Sequence, residues 1–323
     1  MVPTLDRVLL LGRVLDRFDA QTAAHHRFEV IVVADAKHAR IGELDRLAEG
    51  RRYRVRRLEA GVPGASAARN VGWRAAEAPL ILFIDDDILP EPSLVDEHLS
   101  WHQRHPSREV GVLGRVRWAS ELRVTPFMRW LERGIQFDYS AITGIEAEWG
   151  HFYTANASVK RDLVQRAGGF DEARLPYGYE DLDLALRMHR DDGFRLLYNS
   201  AAVAEHLHPM DLDFWKRRVA RIAVSERRFV SLHPEIPAYF HDMFSVAASR
   251  PPVTGRAASL ARVVPPWVPV VGPLVWSRAD AFYRQALAPP FLQAWQAEAD
   301  GRSHASAAPE APVSSSGSPP GGP

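Results

Sequence analysis

Apolar and polar residues follow two periods along the first two thirds of the chain. Val8, Leu11, Val14, Leu15 and Phe18 recur at helical spacing and predict a helix over residues 8–20. Phe28-Glu29-Val30-Ile31-Val32-Val33 is instead a β-branched run, the mark of a buried strand, and it ends at Ala34-Asp35. Residues 41–50 read as a short helix stopped by Gly50, residues 53–58 as a weaker strand, and residues 65–78 as an alanine-rich helix ended by Pro79. Leu80-Ile81-Leu82-Phe83-Ile84 is a second fully apolar strand, and it runs directly into Asp85-Asp86-Asp87. Pro90, Pro92 and Ser93 open a helix over residues 94–102. This alternation predicts a mainly parallel sheet covered on both faces.

Further on, residues 112–118 predict a strand and residues 125–134 a helix with Phe127, Trp130 and Leu131 inward. Residues 152–159 are strand-like, and residues 161–166 form a short helix closed by Gly168-Gly169. Residues 180–190 predict a helix with Leu182, Ala185, Leu186 and His189 on one face, followed by a strand over 194–199. After Pro209 the pattern is mainly helical. Residues 257–276 are apolar but carry Arg262 and four prolines, so they predict a surface-lying or groove-lining segment instead of a spanning helix. From about Gly301 the chain is Ser, Ala, Pro and Gly, a composition expected to be disordered. At the other end only Met1-Val2 precede Pro3, which predicts that the natural chain starts earlier, with the rest of a first strand.

Forty basic residues balance forty acidic ones, which gives no overall field for a nucleic-acid partner. The basic residues cluster at Arg51, Arg52, Arg54, Arg56 and Arg57, and again at Lys216, Arg217, Arg218 and Arg221. Either group reads as a solvated face or as a phosphate or membrane-surface patch. The absence of cysteine excludes disulfides, thiolate metal sites and a cysteine nucleophile, and fits a reducing compartment.

Ligands of open α/β sheets bind beyond the carboxyl ends of the strands, and two strands here end in acids, at Asp35 and at Asp85-Asp86-Asp87. Three adjacent carboxylates repel one another and call for a cation. Mg²⁺ or Mn²⁺ flanked by Asp85 and Asp87 and bridging to a diphosphate would supply it; a solvated acidic turn is the alternative. Gly64 to Gly72 is a glycine-bounded helix start in which Arg69 and Asn70 could donate to the same ligand.

Together these segments, with Pro3-Thr4-Leu5-Asp6-Arg7, Asn156-Ala157-Ser158-Val159, Gly168-Gly169-Phe170-Asp171-Glu172 and Tyr177-Gly178-Tyr179-Glu180-Asp181-Leu182-Asp183, resemble family 2 glycosyltransferases of the GT-A fold over about residues 2–210. The resemblance implies an α/β fold, a doubly wound mixed sheet with helices on both faces, and a helical C-terminal extension. Residues 1–210 would be the catalytic domain, with a nucleotide-sugar half to about 110 and an acceptor half from 111, followed by the extension at 211–300 and the tail at 301–323. It implies that Pro3, Thr4 and Asp35 hold the nucleoside, with Arg69 and Asn70 beside them. Asp85 and Asp87 would serve metal and diphosphate, and Asp86 would lie near the ribose or sugar. Asp181, in a galactosyltransferase-like Glu-Asp pair, matches the general base of an inverting transfer. Glu180, Trp149 and Asn156 would bind the acceptor, with His151, Phe152 and Tyr153 extending an aromatic platform. His206, then His208, matches a metal-binding histidine. Expected partners are a nucleoside-diphosphate sugar, UDP-sugar favoured, Mn²⁺ or Mg²⁺, and a glycan or lipid-linked acceptor of the cell envelope. The expected location is the cytoplasm; a peripheral contact with the inner face of the plasma membrane, if made, would run through the proline-rich residues 257–276. Ala34 departs from the family pattern, which has a second acid there, and leaves base selectivity open. Competing readings are a metal-dependent phosphotransferase or phosphohydrolase, which would need a lysine partner from the scattered Lys37, Lys160 and Lys216, and a sugar-nucleotide-binding protein without turnover.

Overall fold

The computed structural model describes residues 1–301; the tail expected to be disordered lies outside them, apart from Gly301. Strands β1 (Val2–Thr4), β2 (Glu29–Ala34) and β3 (Arg54–Glu59) form a parallel sheet in that order, joined by helices α1 (Val8–Asp19), α2 (Ile41–Ala48) and α3 (Ala65–Ala75). The apolar run of β2 reflects burial on two faces. Val30, Val32 and Ala34 pack with Leu11, Val14 and Phe18 of α1, whereas Ile31 and Val33 pack with Ala67, Ala68 and Trp73 of α3.

β4 (Leu80–Ile84) continues this sheet beside β1, where the Ile84 amide donates to the Met1 carbonyl at 3.2 Å. It opens a second sheet of order β4-β8-β6-β9-β5, completed by β5 (Ile88–Pro90), β6 (Val110–Trp118), β7 (Glu146–Ala147), β8 (Asn156–Lys160) and β9 (Arg195–His206). Helices α4 (Leu94–Arg104), α5 (Pro126–Leu131), α6 (Arg161–Arg166) and α7 (Glu180–Asp192) connect them. Here the expectation of a mainly parallel sheet fails: β6 with β9 is parallel, but β4–β8, β6–β8, β5–β9 and β7–β9 are antiparallel. Only three residues separate β4 from the unforeseen β5, which pairs not with β4 but antiparallel with the distant β9.

The register of β6 against β9 breaks after Gly114, which pairs with Asn199, while Arg115 already pairs with Val203. Asn156 fills the resulting bulge: its Nδ2 donates to the Ala202 and Arg115 carbonyls at 2.9 and 3.2 Å, and a Cβ at Gly114 would collide with it. Beyond the bulge β9 runs on to His206, well past the expected end at 199, so His206 closes a strand and is not in a loop. On α7 the buried face is centred on Leu184, Ala185 and Met188, and His189 is exposed, contrary to its expected inward placement.

Helices α8 (Leu212–Leu232), α9 (Tyr239–Ala248), α10 (Arg256–Leu260) and α11 (Val271–Ala299) form the C-terminal part. They share with α5 a separate core that includes Trp130, Trp215, Phe244, Tyr283 and Phe291. Asp211 caps α8 through the Phe214 amide at 2.8 Å, and Thr125 with Pro126 starts α5. Among the described residues no helix is long and apolar enough to cross a membrane. Residues 257–276 are a helical turn, a proline-rich loop and the start of α11, and much of that loop is exposed.

Candidate active site

The carboxyl ends of β1, β2 and β4, the N-terminus of α7 and one face of α8 enclose a cleft of about 680 Å³. Pro3 and Thr4 end β1, Asp35 follows β2, and the aspartate triplet is the turn between β4 and β5. Asp35 accepts from the Lys37 and Gly64 amides at 2.8 and 2.7 Å, so it shapes the rim between two loops. Gly64 is required there: its φ is +124°, and a Cβ would lie 2.7 Å from the Pro176 carbonyl oxygen.

Each aspartate of the triplet has a different partner. Asp86 is buried, accepting from the Thr4 hydroxyl at 2.7 Å and from Arg7 at 3.2 Å. Burial raises its pKa to about 7, with Arg7 opposing and Asp87 adding to the rise. Asp87 is held the other way. Burial would raise its pKa, but His206 and Arg7 outweigh that and keep it well below the usual range. Asp87 Oδ2 lies 2.5 Å from Arg7 Nη1 and 3.5 Å from His206 Nε2. The pairing of Ile88 with His206 across β5 and β9 brings these distant residues together. Asp85 accepts from Arg69 Nη2 at 2.9 Å, while Asp87 faces His206. A carboxylate oxygen and an imidazole nitrogen 3.5 Å apart suit neighbouring corners of a hexacoordinate Mg²⁺ or Mn²⁺, which lie about 3 Å apart. The other ring nitrogen of His206, Nδ1, is buried without a hydrogen-bond partner. Among the described residues no three or more His, Cys, Asp or Glu converge to hold an ion. Such an ion would therefore need oxygens from a ligand, as hard cations at phosphate sites do.

Arg69, 5% exposed, joins the two halves of the cleft: one nitrogen meets Asp85, and another meets Glu180 Oε1 at 2.6 Å. Burial works against its charge, yet Asp85 and Glu180 outweigh it and raise its pKa. Glu180 is 6% exposed, and its second oxygen has no partner. Asp181 is half-buried in the cleft, and its Oδ1 accepts from the Leu182 amide at 2.9 Å. Burial and Glu180 raise its pKa to about 7, against the pull of Arg69. The preceding Tyr179 takes φ +64°, a strained value for a bulky residue. Its hydroxyl donates to Glu226 of α8 at 2.6 Å, and Glu226 also accepts from the Phe240 and His241 amides at the start of α9. The helical extension thus braces the turn that presents Glu180 and Asp181.

Three expected contacts lie elsewhere. Asn156 is fully buried in the β6–β9 bulge, with its Oδ1 2.9 Å from His98 Nε2. Asn70 clamps Phe170 through two backbone bonds and also accepts from the Trp73 indole at 2.9 Å, so it holds the Gly168-Gly169 loop and not a ligand. Trp149 packs between apolar clusters beside α7; of the expected aromatic platform only Tyr153 lines the cleft. Conversely, no role for Arg7 or Glu226 was legible in the sequence, and Arg218 and Arg221 were left undecided. Phe214, Trp215, Arg218, Arg221 and Ile222 form one face of α8 along the cleft, at spacings a helical projection of the second basic cluster would have revealed. Arg221 lies 4.5 Å from the Tyr177 ring centroid and Arg218 5.8 Å. In the first basic cluster Arg51, Arg54, Arg56 and Arg57 are tied up in ion pairs, for example Arg51 with Asp16 and Asp19.

The family model described as glycosyltransferase like family 2 matches residues 1–224. Validoxylamine A glucosyltransferase of Streptomyces hygroscopicus subsp. jinggangensis is 30% identical over 58% of this chain and 50% of its own. The chain spans about half the length of the curated relatives it matches. Among solved structures, a mannosyltransferase from Pyrobaculum calidifontis, in complex with GDP-Man and Mn²⁺, aligns with a TM-score of 0.58 at 20% identity, covering 90% of this chain and 85% of that one. S. aureus TarS 1–349 aligns with a TM-score of 0.50 at 14% identity over 93% and 90%. With the family model covering well over half of its length and the GT-A architecture around the cleft, the chain belongs to glycosyltransferase family 2.

Proposed function

We propose that the protein is an inverting, cation-dependent glycosyltransferase that moves a sugar from a nucleoside-diphosphate donor to a hydroxyl of a glycan or lipid-linked acceptor. The observation that carries this reading is the meeting, in one cleft, of the Asp87–His206 pair with Asp181, a carboxylate whose pKa is raised to about 7. On this reading residues 1–110 bind the donor and residues 111–210 present the acceptor, with the helices of 211–300 supplying a wall and a brace. Pro3 and Asp35 line the nucleoside end, and Thr4 acts through Asp86. Asp87 and His206 would hold Mn²⁺ or Mg²⁺, which when bound neutralises charge on the diphosphate. Arg218 and Arg221 add positive charge on the same cleft. The second oxygen of Glu180 accepts an acceptor hydroxyl, and Asp181 removes the proton of the attacking one. That oxygen bonds to the anomeric carbon as the bond to the diphosphate breaks, and the diphosphate leaves with the electron pair.

The Pyrobaculum neighbour's GDP-Man and Mn²⁺ support a nucleotide-sugar donor and a divalent ion without choosing the base. UDP-sugars are the first donors to test, and the absence of cysteine supports a cytoplasmic setting. For the phosphotransferase alternative, Lys160 bonds His102 and Lys216 pairs with Asp213, which leaves Lys37 as the lysine on the cleft. A thermal-shift panel of nucleoside diphosphates with and without Mn²⁺, followed by donor-sugar profiling, tests the proposal. One base should stabilise the protein by about 2.7 kcal/mol at roughly a hundredfold excess over Kd, and only with the ion. No response to any of them would overturn it.

A further inference from the structure

Exposed large hydrophobic residues are scattered singly over most of the described surface, at Leu9, Val62 and Ile145 for example. Between positions 260 and 274 they instead cluster: Leu260, Val263, Trp267, Val270, Val271 and Leu274 are all exposed, Trp267 by 79% and Val270 by 83%. The loop that carries them is held in place. Trp276 Nε1 donates to the Val264 carbonyl at 2.9 Å, and the Gly272 amide donates to the Val268 carbonyl at 2.9 Å. A Cβ at Gly272 would lie 2.6 and 2.7 Å from the Pro265 and Pro266 carbonyl oxygens, so the loop packs tightly on the start of α11. Val270 has φ +62°, a costly conformation for a β-branched residue, retained while its side chain points to solvent.

Along the segment that carries this apolar tip, charge has one sign. No acidic residue occurs between Asp242 and Asp280, whereas Arg250, Arg256, Arg262 and Arg278 all lie there and are exposed. An apolar tip with an exposed tryptophan, in a segment whose charged residues are all arginines, complements a surface that is anionic outside and apolar beneath. A second copy of the chain would bring the same arginines against one another. The tail at 302–323 has Val313 as its only large apolar residue and Glu310 as its only acid, so it matches the patch poorly.

We propose that residues 256–278 are a peripheral docking surface for a bilayer containing anionic lipid. Trp267, Val270 and Leu274 enter the headgroup boundary, and Arg256, Arg262 and Arg278 meet lipid phosphates. The surface stands independently of the transfer reaction, but α11 shares a core with α8, whose Phe214, Trp215 and Arg218 wall the cleft. Docking would therefore hold the cleft at a fixed attitude to the membrane, as a lipid-linked acceptor requires.

Flotation of the full chain with vesicles tests this, using phosphatidylcholine alone or mixed with phosphatidylglycerol, at low and high salt. The protein should float with the anionic vesicles, and less so as salt rises. Trp267→Ser/Leu274→Ser should weaken binding about tenfold or more, as should Arg256→Glu/Arg262→Glu, with melting temperature and nucleotide thermal shift unchanged. Absence of flotation, or flotation equal in both variants and the parent, overturns the proposal. So does a vesicle-free, concentration-dependent shift in size-exclusion elution that the same variants abolish, which would assign the patch to a second copy. A retained nucleotide response without flotation overturns the docking surface alone. Flotation without a nucleotide response supports it and overturns the cleft reading.

Discussion

The cleft holds two groups of carboxylates, and they are compensated in opposite ways. At the aspartate triplet every acid has a cationic or hydroxyl partner: Asp85 meets Arg69, Asp86 meets Thr4 and Arg7, and Asp87 meets Arg7 and His206. At the start of α7, Arg69 pairs with Glu180, while Asp181 accepts only from the Leu182 amide. The result is a split in proton affinity. The split runs through the triplet itself: Asp87 stays charged far into acid, whereas Asp86, despite Thr4 and Arg7, is raised to about 7 by burial, as Asp181 is, and a carboxylate at that value can both take and release a proton.

The largest effect should come from Asp181→Asn, which keeps shape and removes the base. Transfer rate should fall about 10²–10⁴-fold in a steady-state assay, with the nucleotide thermal shift retained; an unchanged rate would refute the base assignment. Next is Arg69→Met, which leaves Glu180 buried without its cation. A loss of about 3–5 kcal/mol in denaturant melts is expected, and a loss too small to measure would mean the two halves are not joined there. His206→Ala should weaken Mn²⁺-dependent nucleotide stabilisation by about 10–100-fold in metal titrations, and should also lower the ion-free melt, because the buried ring packs on Trp118 and Phe137 and offsets the Asp87 charge. The pH profile is gentler: the rate should rise about tenfold per unit up to about 7 and then level, because Asp181 must be deprotonated. Smallest is a stability change in the same Asp181→Asn variant. The Asp181 pKa is higher in the folded state than in the unfolded one, so its contribution to stability is full below about 4 and lost as pH rises through about 7. The variant should therefore melt higher than the parent at pH 8, by roughly 0.5–2 kcal/mol, and the difference should vanish near pH 4.

Much of this was legible in the chain. The period of the apolar residues located β2, β4, α1 and α6 to within a residue or two, because burial on both faces or on one helical stripe leaves a direct imprint on composition. The strand-end acids pointed to the cleft for the same reason, since isolated carboxylates are rarely placed after a buried strand without a partner. What stayed hidden was pairing. β5 is three residues long, too short for any periodic signal, and its partner lies over a hundred positions away. Without that pairing, His206 looked like one of two histidines in a loop, and Asn156 like an acceptor contact instead of the filler of the bulge.

By itself, then, the sequence determined the class of fold, the acids at the strand ends and the Glu-Asp turn, since these depend on local pattern and spacing. Only the tertiary structure decided which aspartate faces His206, which arginine joins the two halves, and that Arg218 and Arg221 line the cleft while Arg217 faces out. Ion pairing acts over a few ångströms between residues far apart in sequence, so it leaves no periodic trace for a one-dimensional reading to find.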